Sequence, residues 1–236
     1  MIPGWLAEAA DIFWEAAGDP PPFPRDLTYV LPLALPVYLQ IMPGLRLASI
    51  DDWLKRHGCA QRLDAEDREL RGCLFAYRGF GLIFVDGADL PHDRRFTLAH
   101  ETAHFLLDYY MPRAKAQARL GPEILPVLDG DRAPTQDERI DAAIANCPIG
   151  VHVHLLDRRD PSGEIAGKED RADRLARELL APDDDLSDRY RAHALDELAM
   201  AQDLEATFGF PPAEAAAYAR ARLFGRRGTI LQWRQR

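Results

Sequence analysis

The chain has 236 residues and a mass of 26.5 kDa. A composition of 47% hydrophobic and 28% charged residues supplies material for a packed core and excludes intrinsic disorder. Thirty-eight acidic residues against 29 basic ones leave a net charge of −9, which excludes a globally basic nucleic-acid binder.

The length fits one domain, 1–236. Trp5, Leu6, Ala9, Ile12, Phe13 and Ala16 recur at helical spacing and predict an amphipathic helix over 5–17, ended by the proline-rich run 20–24. This end of the chain carries Glu8, Asp11 and Glu15 and lacks the basic start of a secretory signal. Residues 27–45 carry no charge and are long enough to span a bilayer, but Pro32, Pro36 and Pro43 interrupt them. They read as buried extended or broken structure, and no membrane association is expected. Ser49 is placed to cap a helix carrying Ile50, Trp53 and Leu54 that stops near Gly58.

Apolar runs over 73–77 and 80–85, separated by Arg78-Gly79, read as a β-hairpin closed at Asp86-Gly87. Asp93 is a candidate N-cap for a helix starting around Arg94. The three cysteines, Cys59, Cys73 and Cys147, are widely spaced with no C-x-x-C pair. They make a poor disulfide framework and fit a reducing compartment. Thr135 and Glu138 have capping-box spacing before a short helix ending near Cys147-Pro148. Residues 151–155 alternate like a strand, and 160–163 carry a turn signal. A strong helix is predicted from about Lys168 to Ala181, stopped by Pro182, and the Ala-rich residues from about 186 onward read as helical.

The chemistry concentrates at His100-Glu101-Thr102-Ala103-His104. Four residues advance a helix by about 400°, so the two imidazoles project only about 40° apart and can grip one metal ion. Glu101, beside the first ligand, is placed to act as a base on water rather than as a ligand. The flanks are apolar, and burying polar groups there costs free energy unless something binds them.

A catalytic zinc commonly takes a third protein ligand. On the helix at 168–181 the apolar stripe is Ala172, Leu175, Ala176, Leu179 and Leu180, spanning about −60° to +80° around Ala172. Glu169 falls at about +60°, inside the stripe, and Glu178 near −120°, outside it. Glu169 is therefore the candidate third ligand. Asp173, at about +100°, is placed to orient a ligand histidine through its other ring nitrogen.

His100-Glu101-x-x-His104, followed by Glu169-x-x-Ala172-Asp173-x-x-Ala176-x-Glu178-Leu179-Leu180-x-Pro182, resembles the ImmA/IrrE family of zinc metallopeptidases. Those two motifs carry the resemblance. The preceding hairpin, Leu45-Arg46-Leu47 and Trp53-Leu54 also fit. Leu175 stands where the family carries an aromatic residue. Glu169 lies 65 residues after His104, farther than in compact members, so 111–165 reads as an insertion.

The resemblance implies an α+β fold with a thermolysin-like minimal core over 45–185. A small antiparallel sheet would pack on the H-E-x-x-H helix and a second ligand-bearing helix. Helical flanks complete it, including a C-terminal extension over 186–236. It also implies a cytoplasmic protease of narrow specificity that cleaves a helix-turn-helix (XRE-type) transcriptional repressor and so derepresses stress, phage-defence or mobile-element genes. The expected cofactor is zinc, with manganese as an alternative.

Stabilisation of the oxyanion needs one further donor. Tyr109, Tyr110, His152 and His154 are the candidates. A rival reading is a regulatory or DNA-binding module with a structural or inactive metal site, or a toxin–antitoxin component. After Glu214 come Arg220, Arg222, Arg226, Arg227, Arg234 and Arg236 with no acid among them, a local basic end that could touch DNA or an acidic partner.

Overall fold

The structure, a computed structural model, describes residues 2–58, 66–144, 163–192 and 196–233. Helix α1 (Gly4–Ala17) forms where its periodicity predicts and buries Leu6, Ala9, Ala10 and Phe13. The uncharged stretch 27–45 divides at its prolines. Pro32 sits in the first turn of the short helix α2 (Leu31–Ala34), Pro36 precedes strand β1 (Val37–Met42), and Pro43 follows it. Among the described residues no helix is long and apolar enough to cross a membrane.

Helix α3 (Leu47–Arg56) starts before Ser49, which is therefore not its N-cap. Ser49 is the third helical residue. Its hydroxyl donates to the Arg46 carbonyl at 2.6 Å and accepts from the Arg46 N–H at 2.9 Å, clamping the entry from inside the first turn. Strands β2 (Gly72–Tyr77) and β3 (Phe80–Asp86) form the predicted hairpin. It turns at Arg78 (φ 50°) and Gly79 (φ 87°), two successive left-handed residues that match the right-handed twist of the strands.

The sheet corrects the antiparallel expectation. β2 is antiparallel to β3, but β1 pairs with β3 in parallel, giving a mixed sheet in the order β1-β3-β2. The chain between β1 and β3 contains α3, and a crossover of that kind is what a parallel pair requires. Pleating sends Ile83 and Val85 of β3 into the main core and Phe84 to the other face, where Phe75 and the α3 residues Ile50 and Leu54 cover it.

Helix α4 (Pro91–His104) begins earlier than predicted. Pro91 takes the first helical position, and Asp93 lies in the first turn rather than at the cap. A π-helical segment, Phe105–Tyr110, and helix α5 (Met111–Leu120) follow without a break. Residues 111–120, at the start of the expected insertion, thus prolong the helix that carries the metal motif. Helix α6 (Leu125–Leu128) comes next, then helix α7 (Gln136–Ile144), opened by the predicted capping box. The Thr135 N–H donates to Glu138 Oε2 at 2.7 Å, and the Glu138 N–H to Thr135 Oγ1 at 3.2 Å. The strand expected at 151–155, with His152 and His154, lies outside the described residues, as do Cys59 and Cys147.

Helix α8 (Gly163–Leu180) starts five residues before Lys168 and buries all of Ala172, Leu175, Ala176, Leu179 and Leu180. It packs along α4. Ala99 and Ala103 on one helix and Ala172 and Ala176 on the other are fully buried, and such small residues let two helix axes approach closely. Glu178, expected outside the buried stripe, is only 8% exposed. Helix α9 (Asp183–Ala192) begins just beyond the end of α8, and Glu178 Oε1 accepts the Asp183 N–H at 3.1 Å.

Helix α10 (Glu197–Phe208) is capped by Asp196, whose carboxylate accepts the N–H groups of Leu198 and Ala199. Helix α11 (Pro212–Trp233) follows. Phe208, Phe210, Ala215 and Ala219 sink into the same core as α4 and α8. The architecture is α+β, a small mixed sheet with helices on both faces.

Candidate metal centre

The helical spacing of α4 brings the two motif histidines together as expected. His100 Nε2 and His104 Nε2 lie 3.1 Å apart. Glu169, from α8, approaches both, with Oε2 3.3 Å from His100 Nε2 and Oε1 3.6 Å from His104 Nε2. One donor atom from each of the three residues falls within 4.8 Å of the others. A tetrahedral zinc with bonds of ~2.0–2.1 Å has ligand–ligand edges of about 3.3–3.4 Å, and a cluster of three such donors within 4.8 Å of one another is of the size that could hold one ion.

Carboxylates hold the other face of each imidazole. His100 Nδ1 lies 2.9 Å from Asp173 Oδ1, the role the helical wheel assigned to Asp173. His104 Nδ1 lies 2.8 Å from Asp108 Oδ2. Both Nδ1 atoms therefore carry the N–H, and both Nε2 lone pairs point at the same place as the Glu169 carboxylate. Glu169 Oε1 is buried without a hydrogen-bond partner. Such a donor set needs a cation.

The electrostatics agree. Burial alone would lower the His100 imidazole's pKa, but Asp173, Glu169 and Glu101 override it and push it up to about 9. His104 shifts upward too, because Asp108 and Glu169 outweigh its burial. The two imidazoles, His100 foremost, hold the Glu169 carboxyl well below the usual carboxylate range.

Glu101 is 6% exposed and is not one of the three clustered donors. It lies under the first residue of β2. A Cβ added to Gly72 would sit 2.9 Å from Glu101 Oε1 and 2.5 Å from Thr97 Cγ2, so a glycine is required for the strand to approach the helix. Thr102, on another side of α4, is satisfied locally: its hydroxyl donates to the Leu98 carbonyl at 2.7 Å.

A cavity of about 450 Å³ opens over His100, Glu101 and Glu169. Arg71 and Gly72 at the start of β2, Phe96 and Thr97 of α4, and Pro211, Ala213 and Glu214 around the start of α11 also line it. The segment expected as a C-terminal flank thus contributes to the site. Neither Tyr109 nor Tyr110 lines this cavity. The buried Tyr109 hydroxyl instead accepts the Gly79 N–H at 2.6 Å, at the hairpin turn. Two arginines of the basic end have partners within the fold: Arg220 lies 3.1 Å from Glu197, and Arg222 pairs with Asp183.

The structure brings together His100, His104 and Glu169, with Asp173 on His100 and Glu101 lining the same cavity, and beside His104 it adds Asp108, which sequence reasoning missed. Asp108 is the lone acid in the apolar run 105–110, four residues after His104. That is the same spacing that relates His104 to His100, and it was the available signal. Compared with family models, curated proteins and solved structures, the chain matches none.

Proposed function

We propose that this chain is a zinc-dependent endopeptidase with a thermolysin-like core, related to the ImmA/IrrE peptidases. The carrying observation is the convergence of both Nε2 atoms and the Glu169 carboxylate at 3.1, 3.3 and 3.6 Å, with Glu101 alongside but outside the set.

His100, His104 and Glu169 would hold the ion. Two imidazoles and one carboxylate suit zinc, and manganese is the alternative. When bound, the ion supplies Lewis acidity and lowers the pKa of a water towards ~7. Glu101 takes a proton from the attacking water as its oxygen adds to the peptide carbonyl carbon. It returns that proton to the amine as the C–N bond breaks. Asp173 and Asp108 hold the two imidazoles in the tautomer that leaves Nε2 free.

An extended peptide is the substrate form that the surroundings favour. β2 is an edge strand of the sheet, and its Gly72 end borders the cavity, so a substrate can add along that edge. The protein substrate we infer is a cytoplasmic XRE-type helix-turn-helix repressor. That part rests on the motif resemblance. Of the arginines behind the rival reading, a DNA-contacting module, Arg220 and Arg222 are paired with acids, and the side chains of Arg226, Arg227, Arg234 and Arg236 lie outside the described residues.

The test is Glu101→Gln. It should keep zinc stoichiometry and abolish cleavage of a repressor encoded beside this chain. Undiminished biological output from Glu101→Gln, together with loss on replacing the C-terminal arginines, would overturn the peptidase reading.

A further inference from the structure

Part of the cavity lining belongs to α11, and a chain of ion pairs runs from there to a candidate metal ligand. Asp173 uses Oδ1 for His100 Nδ1 at 2.9 Å, and its Oδ2 faces Arg177 Nη2 at 3.6 Å. The same Nη2 lies 2.9 Å from Glu214 Oε2, in the first turn of α11. Arg177 is largely enclosed, with 16% of its side chain exposed. Its Nε is buried without a hydrogen-bond partner, and its guanidinium stacks over the Tyr218 ring at 5.5 Å. A cation so far desolvated is costly unless its charge is met, and Asp173 and Glu214 meet it.

The helical wheel explains why Arg177 must be there. It stands four residues after Asp173 on α8, so both side chains leave the same helix face. Glu214 reaches that face only because Phe210 and Ala215, on either side of it in the chain, are anchored in the core. Arg95 fixes the loop between α10 and α11 further, donating to the Gly209 carbonyl at 3.2 Å.

We propose that Arg177 is a positioning residue for the metal centre: held by Glu214 of α11, it fixes the Asp173 carboxylate that orients His100, and so makes the C-terminal helix pair an integral part of the site. This rests on reading His100, His104 and Glu169 as a metal centre. A carboxylate that accepts a ligand histidine's N–H works only while its own orientation is fixed. Without Arg177, the second oxygen of Asp173 loses its cation, and the carboxylate is free to swing towards solvent. A merely structural Arg177 would tie α8 to α11 and leave metal affinity alone.

The experiment measures Zn²⁺ and Co²⁺ affinity of the full chain by competition with a chromophoric chelator, alongside thermal stability. Arg177→Met should weaken metal binding about tenfold, the low end of the range for outer-sphere partners. Glu214→Gln, a milder change that also covers a poorly folding Arg177→Met, should weaken it in the same direction. Arg177→Lys should recover part of the loss. In an Asp173→Ala background, Arg177→Met should add no further loss, because both act through one carboxylate.

Affinity within about twofold of the wild type for Arg177→Met and Glu214→Gln overturns the proposal, whatever happens to stability. So does a full additional loss in the Asp173→Ala background. If the wild-type chain binds neither ion, the metal-centre reading itself fails, an outcome distinct from the others.

Discussion

Asp108 Oδ2 stands 2.8 Å from His104 Nδ1, one helical turn beyond the second motif histidine, and Asp108 is almost as enclosed as its partner. The π-helical segment that begins at Phe105 carries it. With Asp173 on His100, the pair gives each ligand imidazole its own carboxylate. Asp108→Asn keeps the shape but presents a neutral amide, removing the negative charge that raises ligand basicity. Zinc affinity should fall about ten- to hundredfold, read by chelator competition. An unchanged affinity would remove Asp108 from the metal site.

Gly72 tests the base separately from the metal. Its missing Cβ is what lets β2 lie against Glu101 and Thr97. Gly72→Ala must push the Glu101 carboxylate or the strand aside, since neither backbone nor Thr97 can yield by half an ångström at no cost. The three metal donors lie elsewhere, so zinc stoichiometry should hold. Stability should drop by about 1–3 kcal/mol, the range for an overpacked contact. Peptidase turnover should fall more steeply than that loss of folded protein explains. Full turnover in a stably folded variant would argue that Glu101 is not the base.

The pH dependence of the metal-free protein has a definite sign. His100 rises from an ordinary 6.5 to about 9 in the folded state. A raised folded pKa contributes stability that is fully present below pH ~6.5 and is lost as pH climbs through ~9. Metal-stripped protein should therefore melt at falling temperatures across that window. Saturating Zn²⁺ should flatten the trend, because the ion replaces the proton. Over the same window metal affinity should rise with pH, as protons compete for the same Nε2 atoms. A melting temperature that rises from pH 6.5 to 9 without metal would contradict the imidazole–carboxylate arrangement.

Much of this site was legible because it obeys helical periodicity. His100 and His104 follow from four-residue spacing. Glu169 and Asp173 follow from one wheel whose stripe, Ala172 to Leu180, is buried as drawn. Other features depend on contacts between distant parts of the chain, to which periodicity is blind. The parallel pairing of β1 with β3 hid in a proline-broken apolar run, and Gly72 matters only because α4 passes beneath it. Glu214 matters only because α11 is anchored beside α8. The wheel leaves Glu178 outside the stripe because periodicity says nothing of the Asp183 N–H and the Arg222 charge, which reach it from beyond α8.

Glu178 also separates charge from hydrogen bonding. Burial pushes its carboxyl up, while the Asp183 N–H pulls the other way. A raised carboxyl pKa means that the ionised form is poorly tolerated in the folded protein. Glu178→Gln keeps a carbonyl oxygen for the Asp183 N–H and removes the buried charge, so it should match or exceed wild-type stability at neutral pH. Glu178→Ala strands that N–H at the start of α9 and should cost about 1–3 kcal/mol. Denaturant melts of both variants measure the difference. If Glu178→Gln destabilises as much as Glu178→Ala, the charge matters to the fold, through Arg25 and Arg222, whose charges act on this carboxyl and its neighbours. If it does not, the acceptor oxygen rather than the charge is what Glu178 contributes to the turn between α8 and α9, and so to the end of the helix that carries Glu169.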